Sequence, residues 1–191
     1  EVTRDAAPRA HLQTLAGLVY YASGDYYNAS VMHERALLLY REAADRAMEG
    51  WTLYYMARAY YARGQAGNVP TFLGQSETSA RQLNDVFQLG RVKLLRARYE
   101  VNENGDYNTA ALIAEEGLQN LQGAGEAAVP EQIEILDLLN QIYSALGNLE
   151  RSGQYLRLAQ GLRGNTLTDD GASSLVAVNS CQVNHLVNQL D

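Results

Sequence analysis

Tyr20-Tyr21-Ala22-Ser23-Gly24-Asp25-Tyr26 reads as the end of one helix and the start of the next. Glycine takes the left-handed backbone conformation that ends a helix without a Cβ clash. The aspartate after it suits the N-cap of a new helix, where a side-chain oxygen accepts a backbone N–H. Four residues before the glycine, Tyr20 falls one turn back on the face expected to be buried. The arrangement returns as Tyr60-Tyr61-Ala62-Arg63-Gly64-Gln65, as Val101-Asn102-Glu103-Asn104-Gly105-Asp106-Tyr107 and as Tyr143-Ser144-Ala145-Leu146-Gly147-Asn148-Leu149. The glycines stand at 24, 64, 105 and 147, at intervals of 40, 41 and 42 residues. A period of this size marks an internal repeat.

Between the turns the apolar residues keep a helical period. Leu53, Met56, Ala57 and Tyr60 fall at i, i+3, i+4 and i+7, and Leu136, Leu139 and Tyr143 lie on the same kind of stripe. Ala29, Met32, Ala36, Leu37 and Tyr40 continue the period after the first turn, and Ala110, Ile113, Ala114, Leu118 and Leu121 after the third. No segment alternates as a strand. The pattern predicts helices over 9–22 and 26–44, 48–62 and 68–83, 84–103 and 107–122, and 130–146 and 149–162. Pro70 and Pro130 open helices, as proline should. Residues 163–173 read as a loop, and 174–189 as a capping helix or a truncated fifth repeat. Tyr20, Tyr60, Leu136 and Tyr143 are expected in the core. Gly17, Ala29, Ala57, Ala97, Ala110 and Ala159 are expected where helices approach closely.

With 191 residues, 47% of them apolar and 19% charged, the chain has ordinary globular composition. It begins at Glu1 and is expected to be a processed or excised piece. The net charge of −7 is uneven: residues 1–100 carry +2 and residues 101–191 carry −9. Without a long basic stripe the chain is a poor nucleic-acid binder. Its one dense basic cluster, Arg91, Lys93, Arg96 and Arg98, is expected to be a solvated helix face. No apolar run reaches membrane-spanning length. The single Cys181 leans toward a reducing, cytoplasmic setting.

Chemistry-bearing motifs are missing. His11, His33 and His185 do not combine with Cys181 or carboxylates at metal-ligand spacing. Gly123-Ala124-Gly125 follows a helix rather than a strand and is no dinucleotide fingerprint. No Walker loop or nucleophile elbow occurs. The acidic pairs Glu115 with Glu116 and Glu131 with Glu134 are expected on solvated faces. No catalysis, cofactor or metal is therefore expected.

Ala16-Gly17, Tyr20, Gly24-Asp25-Tyr26, Ala29 and Ala36-Leu37, followed by Leu53, Met56-Ala57, Tyr60 and Gly64, resemble the tetratricopeptide repeat over roughly residues 9–162. The third copy departs from the pattern with Arg98 at a small-residue position, and the fourth with Asn140. The long period resembles the sensor arrays of bacterial signalling ATPases and of the maltose-regulon activator type. The resemblance implies an all-α, right-handed superhelical array of four helical hairpins plus a C-terminal helix. It implies a module that binds a protein or peptide segment in a concave groove, or senses a small effector within a larger signalling protein. Carried over residue by residue, the groove positions are His11, Thr14, Leu18 and Tyr21; Trp51, Tyr54, Arg58 and Tyr61; Val92, Leu95, Tyr99 and Asn102; and Glu134, Asp137, Gln141 and Ser144. Tyr, Trp and Arg dominate binding hot spots, so His11, Tyr21, Trp51, Tyr54, Arg58, Tyr61, Tyr99 and Asn102 are the expected contact residues. The carboxylate clamp of chaperone-binding relatives is not matched, because Leu18 and Val92 are apolar where it needs polar groups.

Overall fold

A computed structural model describes residues 6–169, with the backbone alone over 165–169. The helix expected at 174–189, Cys181 and His185 lie outside the described residues. Within them the chain is all-α, without a strand. Its helices are α1 (Ala6–Ala22), α2 (Tyr26–Glu42), α3 (Arg46–Ala62), α4 (Val69–Leu83), α5 (Val86–Tyr99), α6 (Tyr107–Gly123), α7 (Val129–Ala145) and α8 (Leu149–Asp169). Within the first unit α1 packs on α2, α2 on α3 and α3 on α4, and within the second α6 packs on α7 and α7 on α8, as neighbouring helices of a hairpin array do. None is long and apolar enough to cross a membrane. The chain forms two compact units that part between Leu95 and Arg96, inside α5.

One joint chemistry recurs along the chain. Gly24, Gly64, Gly105 and Gly147 all have φ between +65° and +83°, as the sequence expects. Ala44 and Asn84, at φ +56° and +55°, do the same work between hairpins. After five of these six the next residue turns its N–H back to the helix carbonyl five residues earlier: Asp25 to Tyr20, Asp45 to Tyr40, Gln65 to Tyr60, Asp85 to Ala80 and Asn148 to Tyr143, each at 2.9 Å. The closing side chain then caps the next helix. Asp25 accepts from the N–H of Asn28, Asp45 from Met48, Asp85 from Gln88, Asp106 from Thr109 and Asn148 from Arg151. After Gly64 and Gly125 no such cap follows. There a single 3₁₀ turn (Ala66–Asn68, Glu126–Ala128) leads into a helix with proline in its first turn.

The 41-residue interval has a local cause. After α5 the backbone widens into a π-helical turn over Glu100–Asn104, and Asp106 bonds back to Glu100 rather than to residue 101. The turn absorbs one extra residue, as π-bulges do.

In the first unit the core lies around α3, where every residue from Trp51 to Ala57 is buried. Ala10, Thr14 and Gly17 of α1 pack with Ala29, His33, Ala36 and Tyr40 of α2. In the second unit Ile135, Leu136, Leu139 and Ile142 of α7 form the centre, with Ala110, Ala114, Leu118 and Leu121 of α6 and Ala159 of α8 buried beside them.

Five expectations are corrected. Tyr60 is only partly buried, packed against the edge of the Leu37, Leu53 and Met56 cluster. Tyr20 is 38% exposed, because α1 is the first described helix and no described residue packs over that position as α2 and α6 pack over Tyr60 and Tyr143. α8 continues through Asp169 instead of ending at 162; Arg163 pairs with Asp137 on α7 and keeps the extra turn docked. Arg91 and Lys93 are buried rather than solvated, each 6% exposed. Arg91 lies among aromatic rings, and Lys93 Nζ stands 3.0 Å from Glu77 of α4. Glu115 is no free surface acid, since one of its oxygens accepts from Tyr143, Tyr155 and Arg151.

Candidate functional site

The densest aromatic and cationic grouping sits in the first unit, where α1, α2, α3 and the start of α5 supply one side chain after another. Its centre is Tyr54 on α3. Arg58, one turn later on the same helix, places its guanidinium carbon 5.7 Å from the Tyr54 ring centroid and 4.3 Å from that of Tyr21 on α1. Arg91 on α5 brings a second guanidinium to 5.1 Å from Tyr54, 5.7 Å from Trp51 and 5.6 Å from Phe87. Trp51 meets Tyr54 edge-on, with centroids 6.0 Å apart, and its indole N–H donates to the Asp85 carboxylate at 3.1 Å. Asp85 also caps α5, so the joint that starts this helix fixes the tryptophan.

Beneath this layer lie His33 and Tyr55, stacked with centroids 5.4 Å apart. His33 is 1% exposed, and its Nδ1 has no hydrogen-bond partner. Burial, and then the charge of Arg58, hold its pKa far below the usual value, at about 3, so the ring is neutral. Burial pushes the Tyr55 hydroxyl up to about 12, against the opposing pull of Arg91. The two guanidiniums thus act on groups well inside the unit. Arginine over an aromatic face gains about 0.5–2 kcal/mol per contact, more as water is excluded.

The expected contact residues divide between the units. Tyr21, Trp51, Tyr54 and Arg58 come together as described. Tyr21, Arg58 and Tyr61 are half-buried, whereas Trp51 and Tyr54 are 3% and 5% exposed and form the floor rather than the rim. His11 lies elsewhere on α1, edge-on to Tyr40 at 5.4 Å, with its Nδ1 2.8 Å from the Ala7 carbonyl oxygen. Tyr99 and Asn102 belong to the second unit, the former half-buried at the end of α5 and the latter exposed in the π-helical turn. Of the other groove positions, Thr14, Val92 and Leu95 are buried, and Glu134, Gln141 and Ser144 are exposed. Arg98 and Glu134 form an ion pair at 2.9 Å within the second unit.

Sequence reasoning missed Arg91, Phe87 and His33. Arg91 was hidden in a run of cations that reads as a surface face. His33 left one trace: it stands at the helical spacing of the buried stripe formed by Ala29, Ala36 and Tyr40.

Among the described residues no three His, Cys, Asp or Glu side chains gather as a cation's ligand set. The chain matches no protein-family model, and no curated protein matches it.

Proposed function

We propose that this chain is an interaction module that binds a protein or peptide segment through the face of its first unit around Arg58. The observation that carries this reading is the position of Arg58. Its guanidinium rests on Tyr21 of α1 and beside Tyr54 of α3, joining the first helices of two successive hairpins in one half-buried patch. Tyr21, Arg58 and Tyr61 offer large, rigid contact area, and the buried Tyr54 ring lies beside Arg58 with Trp51 edge-on to it. Such partly desolvated Tyr–Arg clusters on a rigid floor are what dominates binding energy in protein interfaces. The planar guanidinium has donors around its edge, so it can stack on Tyr21 and still meet a carbonyl or carboxylate of a bound segment.

The test is a displayed random-peptide selection against the whole chain, followed by affinity measurements on Arg58→Ala and Tyr61→Ala. These side chains are only half-buried, so helicity should persist. Loss of about 2 kcal/mol or more on Arg58→Ala is the expected outcome. Peptides selected on the intact chain that bind both variants unchanged would place the binding surface elsewhere.

A further inference from the structure

Asn104-Gly105 is the one place in the chain where glycine follows asparagine. The pair has a chemistry of its own. An asparagine side-chain carbonyl carbon lies within reach of the next backbone nitrogen, and glycine has no Cβ to hinder the approach. Every other asparagine among the described residues is followed by a residue with a Cβ.

The fold sets this pair at the end of the π-helical turn Glu100–Asn104, with Gly105 at φ +65°. All residues from Asn102 to Thr109 are exposed. Two bonds hold the pair, and both run to Glu100. The Gly105 N–H donates to the Glu100 carbonyl, which also accepts from the Asp106 N–H at 3.1 Å. The Asn104 side chain donates from Nδ2 to the Glu100 carboxylate at 2.5 Å. One glutamate thus restrains the nitrogen that would attack with its backbone, and the nitrogen that would leave with its side chain.

We propose that Asn104 is a deamidation site held in check by Glu100. The Gly105 backbone nitrogen loses its proton to hydroxide and bonds to Cγ of Asn104. The Cγ–Nδ2 bond breaks, and Nδ2 takes up a proton from water and leaves as ammonia. Water then opens the five-membered imide at either carbonyl and leaves aspartate or isoaspartate at position 104. The closed turn blocks the attack, so the reaction runs through local opening. An exposed turn with solvent-facing hydrogen bonds opens readily. The product cannot rebuild the turn. Where Nδ2 donated, a carboxylate can only accept, and it faces the like charge of Glu100. Deamidation therefore loosens the joint between α5 and α6 irreversibly. The site lies in the second unit and uses no residue of the Arg58 patch.

The test ages the whole chain in mildly acidic and mildly alkaline buffer and reads the peptide carrying residue 104 by mass spectrometry. Conversion of amide to acid is expected there before any other described asparagine, faster in alkali, with isoaspartate detected by enzymatic methylation. Glu100→Ala keeps the carbonyl and removes the carboxylate. It should speed the conversion about threefold or more, the scale of one hydrogen bond lost from the opening equilibrium. Circular dichroism should not change, because the contact is exposed. Asn104→Asp should lower the urea midpoint, and adding Glu100→Gln should recover most of that loss. Conversion absent at residue 104, or appearing first at another described asparagine, would overturn the proposal. An unchanged or slower rate in Glu100→Ala would do the same, since the carboxylate would then protect nothing. A midpoint unmoved by Asn104→Asp would refute the loosening of the joint.

Discussion

Gly17 and His33 share one space: a Cβ placed on Gly17 would stand 2.4 Å from Cε1 of the His33 ring. The histidine fills the notch left by the missing side chain, which lets α1 lie close on α2. Neither partner can yield cheaply, because His33 is itself stacked on Tyr55. Gly17→Ala should therefore destabilise the protein by about 1–3 kcal/mol, the usual scale for overpacking, read as a lower urea midpoint. Gly17→Ala combined with His33→Ala should lose less than the two single changes added, because the clash is removed. Additive losses would mean that the two residues do not compete for the space.

The same histidine makes stability depend on pH. Its pKa is about 3 in the folded chain, against 6.5 for an unperturbed histidine. The unfolded state therefore takes up a proton near 6.5 that the folded state refuses until about 3. The contribution is complete above pH 6.5 and is lost as pH falls through the window below it, at up to about 1.4 kcal/mol per pH unit. Urea midpoints between pH 7 and 5 should show this slope. The N-cap carboxylates Asp25 and Asp106, held below 3.8 by bonds from Asn28 and Thr109, act only at lower pH. His33→Gln should flatten the slope in the upper window whatever it does to stability at pH 7. Equal slopes in both proteins would show that the ring is not held neutral.

Local rules made the helices legible. Gly24, Gly64, Gly105 and Gly147 each announce a left-handed residue, and all four adopt one. The joints at Ala44 and Asn84 were harder to see, since alanine seldom takes positive φ; the aspartates that follow them were the readable half of the signal. What spacing cannot show is which distant helix supplies a neighbour. Tyr20 looks like Tyr60 and Tyr143 from its own turn, and only the preceding helix decides which of them is covered. Arg91 and Lys93 read as surface cations because Trp51, Tyr54 and Glu77, which enclose them, lie on α3 and α4. For the same reason the candidate site was legible as a set of aromatic and arginine positions, but its division into floor and rim was not.

Glu115 gathers three donors on one carboxylate oxygen: Tyr143 at 2.7 Å, Tyr155 at 2.8 Å and Arg151 at 3.3 Å. The two tyrosine rings stack with centroids 5.6 Å apart. Burial first, and then the bond to Glu115, raises the pKa of both hydroxyls. Glu115→Gln keeps the size and removes the charge. It should cost about 1–2 kcal/mol, less than a fully buried charged hydrogen bond because Arg151 is half in solvent. Alkaline spectrophotometric titration should then show tyrosines ionising at lower pH than in the parent chain. An unchanged titration curve would mean that burial alone sets the two hydroxyls.

The joint at Ala44 offers a substitution that should strengthen the fold. Ala44 has φ +56°, where a Cβ crowds the following carbonyl at a cost of about 1–2 kcal/mol. Its side chain is exposed, so glycine there removes the strain without opening a cavity. Glycine also loosens the unfolded chain, which offsets part of the gain by about 0.4–1 kcal/mol. The net expectation for Ala44→Gly is a rise in stability of about 0.5–1 kcal/mol. One residue earlier the sign reverses. Ala43 has φ −76°, an ordinary helical value, so Ala43→Gly relieves nothing and should lower stability by about 0.5–1 kcal/mol. Asn84→Gly should fall between the two, because asparagine tolerates its φ of +55° better than alanine does. Urea denaturation of the three variants checks the order. If Ala44→Gly and Ala43→Gly both destabilise by the same amount, α2 does not end in a left-handed residue at position 44.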